Sequence, residues 1–451
     1  MENSALELGE KPIGALLAKY ALPSIFAMVA SSLYNMVDSI FIGQGVGALA
    51  ISGLAITFPL MNLSAAFGAM VGVGGSTVLS VKLGQHDYKT AQLVLGNVTT
   101  LNIVLGIVFG TLCLLFLDPI LLFFGASEAT LPFAREYMIW ILLGNVFTHM
   151  YFGLNAVLRS AGHPRRAMAC TILTVLLNTV LDPIFIYVFG MGIAGAAIAT
   201  VLAQVVSLVW QFRLLGNPKE LLHFRRGIYS LRPRLVREML SIGLSPFALN
   251  SGACLVVIAI NNQMMRYGGD YAVGAFGINH RIVFMFLMIV MGLNQGMQPI
   301  AGYNYGARKM DRVRDVFVRS CFFATIVSTA CFICGEFFPE PMFRIFTSDP
   351  TLLEMSVDGM RLNVAVMPVI GFQMVTTAFF VSIGRAGVSI FLSLTRQMIY
   401  LLPLLFLLPI WFELDGVWLA LPISDFIACL TAVGFLWWEY RHNDMAASTN
   451  S

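Results

Sequence analysis

Three carboxylates occupy places in this sequence that water does not readily reach: Asp38 in SSLYNMVDSIFIG, Asp182 in LLNTVLDPIFIYV and Asp425 in LALPISDFIACL. An ionisable side chain inside an apolar run faces a cavity, a partner or a pathway. Asn178 and Asp182 are four apart, so they share one helix face and reach one ligand. Pro183 follows at once. It has no N–H and crowds the carbonyl of Thr179, so it should bend the helix and free that carbonyl. A carboxylate, an amide oxygen and a freed carbonyl suit a hard cation such as Na⁺. A carboxylate withdrawn from water is an equally good site for a proton. Thr200 adds a hydroxyl one turn past Gly195-Ala196-Ala197, whose small side chains allow close helix approach. The plainer alternatives stay open: Asp182 before proline caps a helix end, and Asp425 joins a neighbouring helix.

The second half of the chain offers amides instead, among them Asn261, Asn262, Gln263, Asn294, Gln295, Gln298, Asn363 and Gln373. They line a cavity or join helices. Asn261, Gln298 and Gln373, with Tyr34 and Asn35 from the first apolar run, are the candidate substrate contacts. The 24 Met and 35 Phe suit an adaptable apolar surface, although both also fill cores. The glycine-rich stretches Gly43–Gly47 and Gly72–Gly75 follow no strand, so neither reads as a phosphate loop. His86 and His163 fall in polar turns. Cys331 and Cys334 have CxxC spacing but lie mid-helix without a second pair, so packing is the expected role. No metal-protease, P-loop or nucleophile-elbow motif occurs, and neither enzymatic activity nor a cofactor is expected.

These residues must be positioned by a membrane protein. Of 451 residues 58% are hydrophobic and only 11% charged, against about 25% charged in soluble domains, and the mean hydropathy is +0.81. A net charge of +3 does not suggest nucleic-acid binding. The N-terminal MENSALELGEKPIG lacks the basic region and cleavage site of a signal peptide, so the first apolar segment is expected to remain. A helix crosses a bilayer with roughly 20 apolar residues. Apolar runs predict spans near 13–42, 48–80, 91–117, 132–160, 165–188, 192–214, 235–265, 272–304, 315–336, 355–384, 387–411 and 415–438. With the N-terminus inside, only Arg135, Arg266, Arg281, Arg344 and Arg361 of the 27 Lys and Arg fall on or near the outer side. Arg396 is counted with the inner group. This asymmetry predicts both termini in the cytoplasm of a multi-pass cell-membrane protein.

The two halves repeat. At an offset of 222, Gly74 falls on Gly296, Gly84 on Gly306, Ser160 on Ser382 and Gly162 on Gly384. An offset of 223 sets Pro23 on Pro246 and Asp38 on Asn261, so charge is concentrated in the first half. Six spans per half make parallel repeats, between which transporters commonly hold substrate. The fold class expected is an all-α integral membrane protein with a six-helix lobe at 1–222, carrying ion coupling, and a second at 223–451.

The segments YNMVDSIFIG, GVGGSTVLSVKLGQ, LRSAGHP, LNTVLDPIFI with GIAGAAIAT, and QGMQPIAGYNYGA together resemble the MATE (multidrug and toxic compound extrusion) transporters. That superfamily also includes lipid-linked oligosaccharide flippases. The resemblance spans nearly the whole chain. It implies twelve helices in two six-helix bundles around a central cleft. It also implies export of amphipathic, often cationic, compounds by alternating access, driven by H⁺ or Na⁺, and a monomer is expected. In the DinF-like group the ion site corresponds to Asp38, Asn178, Asp182 and Thr200, with Asn155 nearby. The acidic residues that another group carries in its seventh and tenth spans are replaced here by Asn261, Asn363 and Gln373. A flippase is the alternative. It would need basic residues for a pyrophosphate, and the spans offer mainly Arg281.

Overall fold

A bilayer supplies no hydrogen bonds to backbone, so apolar segments of this length must satisfy their own N–H and C=O groups as helices. The computed structural model describes residues 6–46, 48–344 and 349–442, and among the described residues every regular element is helical. The long helices are α1 (Ile13–Gly45), α2 (Ala48–Gly84), α3 (Tyr88–Leu115), α4 (Leu131–Leu143 with Asn145–Ser160), α5 (Pro164–Val188) and α6 (Gly192–Leu215). The second set is α7 (Pro233–Gly269), α8 (Tyr271–Gly306), α9 (Met310–Phe337), α10 (Pro350–Val364 with Met367–Ser382), α11 (Ala386–Leu407) and α12 (Pro409–Glu439). Ten are long and apolar enough to cross a membrane, and counting the bent pairs α4 and α10 as one span each gives twelve.

The backbone carries the repeat more plainly than the side chains do. Among the described residues three non-glycines have positive φ, and two of them, His86 and Arg308, are 222 apart, as are Gly162 and Gly384. Gly190 (φ 64°) and Glu413 (φ 49°) are 223 apart. The bend of 56° at Gly144 in α4 has its counterpart in the bend of 53° before Met367 in α10. Such left-handed and broken positions are costly for most residues, so their recurrence at one offset marks two copies of one frame.

The compact units do not coincide with a cut at 222. One comprises Phe26–Phe247 with the residues up to Lys11, the other Pro12–Ile25 with the chain from Ala248. The linker after α6 binds along α3: Asn97 Nδ2 and Thr100 Oγ1 donate to the carbonyls of Ser230 (3.2 Å) and Tyr229 (2.9 Å). Gln92 donates to the carbonyl of His223, and Arg232 N–H donates to Asn97 Oδ1 at 2.8 Å. The start of α7 then lies on α2, with Met239 carbonyl against Gly74 and Met70 carbonyl against Gly243. Arg396 is a second departure. It lies ten residues along α11 from Ala386, well inside the span rather than among the inner-face charges.

Candidate cation site

The site is built by the later part of α1, which carries Asp38, with α5 and α6, and all of these residues lie within the first unit. Beyond Pro183, which has no N–H to give, α5 widens into a π-helical turn over Ile184–Val188, where Phe189 N–H reaches back to Ile184 carbonyl at 2.9 Å. Both neighbouring helices grip that turn. Gly195 of α6 lies so close that a Cβ there would stand 2.9 Å from the Phe185 carbonyl carbon. The Tyr187 hydroxyl donates to Phe41 carbonyl of α1 at 3.1 Å, with the two rings edge to face. Asp38 precedes Phe41 by three residues, and Asp182 precedes the gripped turn. Their carboxyl groups come within hydrogen-bonding range of each other.

Around this pair Asn178 donates Nδ2–H to Asp182 Oδ1 at 2.8 Å and reaches Thr200 Oγ1 at 3.4 Å. Thr200 gives its own hydroxyl proton to Ala196 carbonyl at 3.0 Å. Asp38, Asn178, Asp182 and Thr200 are all buried, none more than 8% exposed. Among the described residues, three acceptors in the cluster have no donor: Asp38 Oδ1, Asp182 Oδ2 and Asn178 Oδ1. A buried acceptor left without a partner is expensive, and two carboxylates at this range cannot both stay charged and empty. The donor set is all oxygen, which suits a proton or a hard monovalent cation.

Asn155 is not part of this cluster. It donates to Ala167 carbonyl at 3.0 Å and to Thr171 Oγ1 at 3.3 Å, and accepts from Arg159. Thr171 lies seven residues before Asn178 on α5, about 10 Å along the axis. Asp425 is engaged in an ion pair with Arg396 Nε at 2.6 Å. In the second unit Gln298 and Gln373 are buried and Asn261 is half-buried. Gln373 donates to Thr377 on its own helix at 3.3 Å. The side chains of Tyr34 and Asn35 lie outside the described residues.

A further polar cluster carries no signal local to the sequence. Ser64 of α2 donates to Asn145 Oδ1 at 2.5 Å and meets His149 Nε2 at 3.2 Å, all three buried. Only the spacing of Asn145, His149 and Asn155 along α4 hints at a polar face.

Two repeated sets of six spans, with a buried oxygen site in one of them, define a polytopic membrane protein of the helical transporter class. The chain belongs to the MatE family, whose model matches residues 23–184 and 248–407. It is 25% identical over 434 residues to the multidrug export protein MepA of Staphylococcus aureus (strain N315), covering 96% of each chain. It is 25% identical over 427 residues to MepA of Staphylococcus haemolyticus (strain JCSC1435), covering 94% of this chain and 93% of that one. A solved structure described as the outward-facing conformation of a multidrug resistance MATE family transporter of the MOP superfamily superposes with a TM-score of 0.92 at 24% identity, over 100% of this chain and 99% of that one.

Proposed function

We propose that this chain exports amphipathic organic compounds, cationic ones among them, across the cell membrane, driven by inward movement of H⁺ or Na⁺ through the Asp38–Asp182 site. The observation that carries the reading is the set of three orphaned buried acceptors around two facing carboxyl groups. Such a site is complete only when a proton or cation occupies it. Multidrug export by MepA supports the choice of cargo, and the inner-side bias of Lys and Arg supports cytoplasmic termini. In this reading Asp38, Asp182, Asn178 and Thr200 take the ion from the outside. Its binding alters the grip of α1 and α6 on the turn after Pro183. That change exposes the substrate site alternately to the two sides, with Asn261, Gln298 and Gln373 as contacts of the second unit. A ligand shifts such an equilibrium only through different affinity for the two states.

The test is efflux of a fluorescent cation from proteoliposomes with proton and sodium gradients imposed separately. Export under one gradient, abolished by Asp38→Asn, is expected and names the ion. No export of the dye under either gradient by folded protein sinks the reading. Lipid scrambling by the same sample would then point to a flippase.

A further inference from the structure

The second unit holds a charged pair at a depth where charge is costly. Arg396 is ten residues into α11, and Asp425 is sixteen residues from the start of α12 and fourteen from its end. By helix rise both stand at least about 15 Å from the ends of their spans. The pair is mostly but not wholly enclosed, with the two side chains 18% and 13% exposed. One hydrogen bond joins them, from Nε to Oδ1. At the offset of 222 Arg396 falls on Thr174, which bridges α5 to α6 by a 2.7 Å bond to Ser207. At this position the first unit joins the two helices with hydroxyls, and the second joins them with an ion pair.

The surroundings repeat the donor types of the first unit. Arg396 lies in a π-helical turn over Thr395–Leu401. Beside it Gln397 Oε1 is buried without a donor, only 2.6 Å from where a Cβ on Gly252 of α7 would stand. The neighbouring Ser251 Oγ is also buried and unpartnered. The carboxylate is on α12, and the unpaired amide oxygen and hydroxyl are on α11 and α7; these helices are the repeat counterparts of α6, α5 and α1. The first unit offers the same types of oxygen, with a second carboxylate and no basic side chain bonded to either one among the described residues.

We propose that Asp425 is the anionic centre of a second cation site, whose cation is the tethered guanidinium of Arg396. The second unit is thereby permanently loaded and indifferent to the transported ion; only this comparison with the first unit rests on the proposed function. Removing the guanidinium should uncover a site that takes a free cation or a proton. The titratable groups around it are few. Cys429 lies one turn along α12 and interacts with Asp425, and Tyr400 on α11 is bonded to Thr431 at 2.9 Å. On the nearby stretch of α7 the only such residue is Cys254, and Met367–Ser382 of α10 has none.

Purified Arg396→Ala should melt below the wild type. Guanidinium at non-denaturing concentration, or acid buffer, should restore most of the loss while leaving the wild type unmoved. Arg396→Gln/Asp425→Asn should fold and ignore both additions. The proposal is overturned if Arg396→Ala melts alike with and without guanidinium at either pH, or if the double variant responds as strongly as the single. Should Arg396→Ala fail to fold, the double variant must still fold, because it leaves no unpaired charge; its failure also overturns the proposal. None of these readouts uses transport, so they stand apart from the ion-coupling test on Asp38.

Discussion

Asp182→Asn separates a working cation site from a structural polar cluster, because the two make opposite forecasts for stability. The carboxyl groups of Asp38 and Asp182 are within hydrogen-bonding range. Two unit charges about 4 Å apart repel by about 4 kcal/mol at an effective dielectric constant of 20, or roughly a thousandfold in an equilibrium at 1.4 kcal/mol per decade. The empty, doubly charged site is disfavoured by about that factor against one holding a proton or a cation. Asparagine removes the repulsion and keeps an oxygen to accept the 2.8 Å bond from Asn178. Export driven by an ion gradient should therefore fall to background. The melting temperature in alkaline, sodium-free buffer should equal or exceed that of the wild type, and its dependence on added Na⁺ or acid should flatten. Both are read on one preparation, by dye efflux from proteoliposomes and by intrinsic-fluorescence melting across pH with and without Na⁺. Wild-type efflux by the variant, or a wild type whose melting ignores both ions, would refute the reasoning.

Two further perturbations probe the frame that holds the site. Gly195→Ala places a Cβ 2.9 Å from backbone of Phe185, which cannot swing aside as a side chain would; overpacking of this kind costs about 1–3 kcal/mol. Its melting temperature should drop and its export should slow, because the displaced turn directly follows Asp182 and Pro183. Glu220 ties the linker to the start of α5, at 3.0 Å from His163 Nε2 and 2.7 Å from Arg166 Nη1. Burial alone would raise its pKa, but the hydrogen bond from Arg166, with the charges of His163 and Arg166, outweighs this and holds it below the usual carboxylate range. A depressed folded-state value means that the stabilisation is complete above the ordinary glutamate range and disappears as pH falls through the lower folded value. Glu220→Gln should therefore cost less than about 1 kcal/mol at neutral pH, since the pair is partly solvated, and acid melting should show a shallower loss than the wild type.

The spans and the site were legible for different reasons. A bilayer makes long apolar runs into helices without help from tertiary contacts, so twelve spans could be read directly. Asp38, Asn178, Asp182 and Thr200 stood out because charge and amide are rare in such runs and because one pair is spaced four apart. Residues defined by a distant partner did not stand out. His149 meets Ser64 across 85 positions, and although Asn145 four residues before it hints at a polar face, nothing in its flanks points to Ser64. Arg396 lies within the apolar run 387–411, and charge alone groups it with the inner-face residues; its ten-residue depth in the helix from Ala386 and its partner Asp425 set it apart. Asn155 is held by Ala167 and Thr171, contacts that spacing along one helix cannot reveal. The unit boundary was hidden because a polar linker reads as loose, yet its carbonyls are captured by Gln92, Asn97 and Thr100.

On the proposed function, the repeat accounts for the exchangeable chemistry being carried by one unit. The positive-φ turns and the bends in α4 and α10 recur at one offset and show one backbone frame used twice, so the difference lies in the side chains placed on it. In the first unit α1, α5 and α6 converge on acceptors that nothing among the described residues satisfies. In the second, α11 and α12 converge on a carboxylate that the chain satisfies itself. A guanidinium is always charged and cannot diffuse away, so it removes the dependence on an outside ion that orphaned oxygens create. An antiporter needs that dependence at one site, because a second exchangeable site in the same frame would change the number of ions moved per cycle.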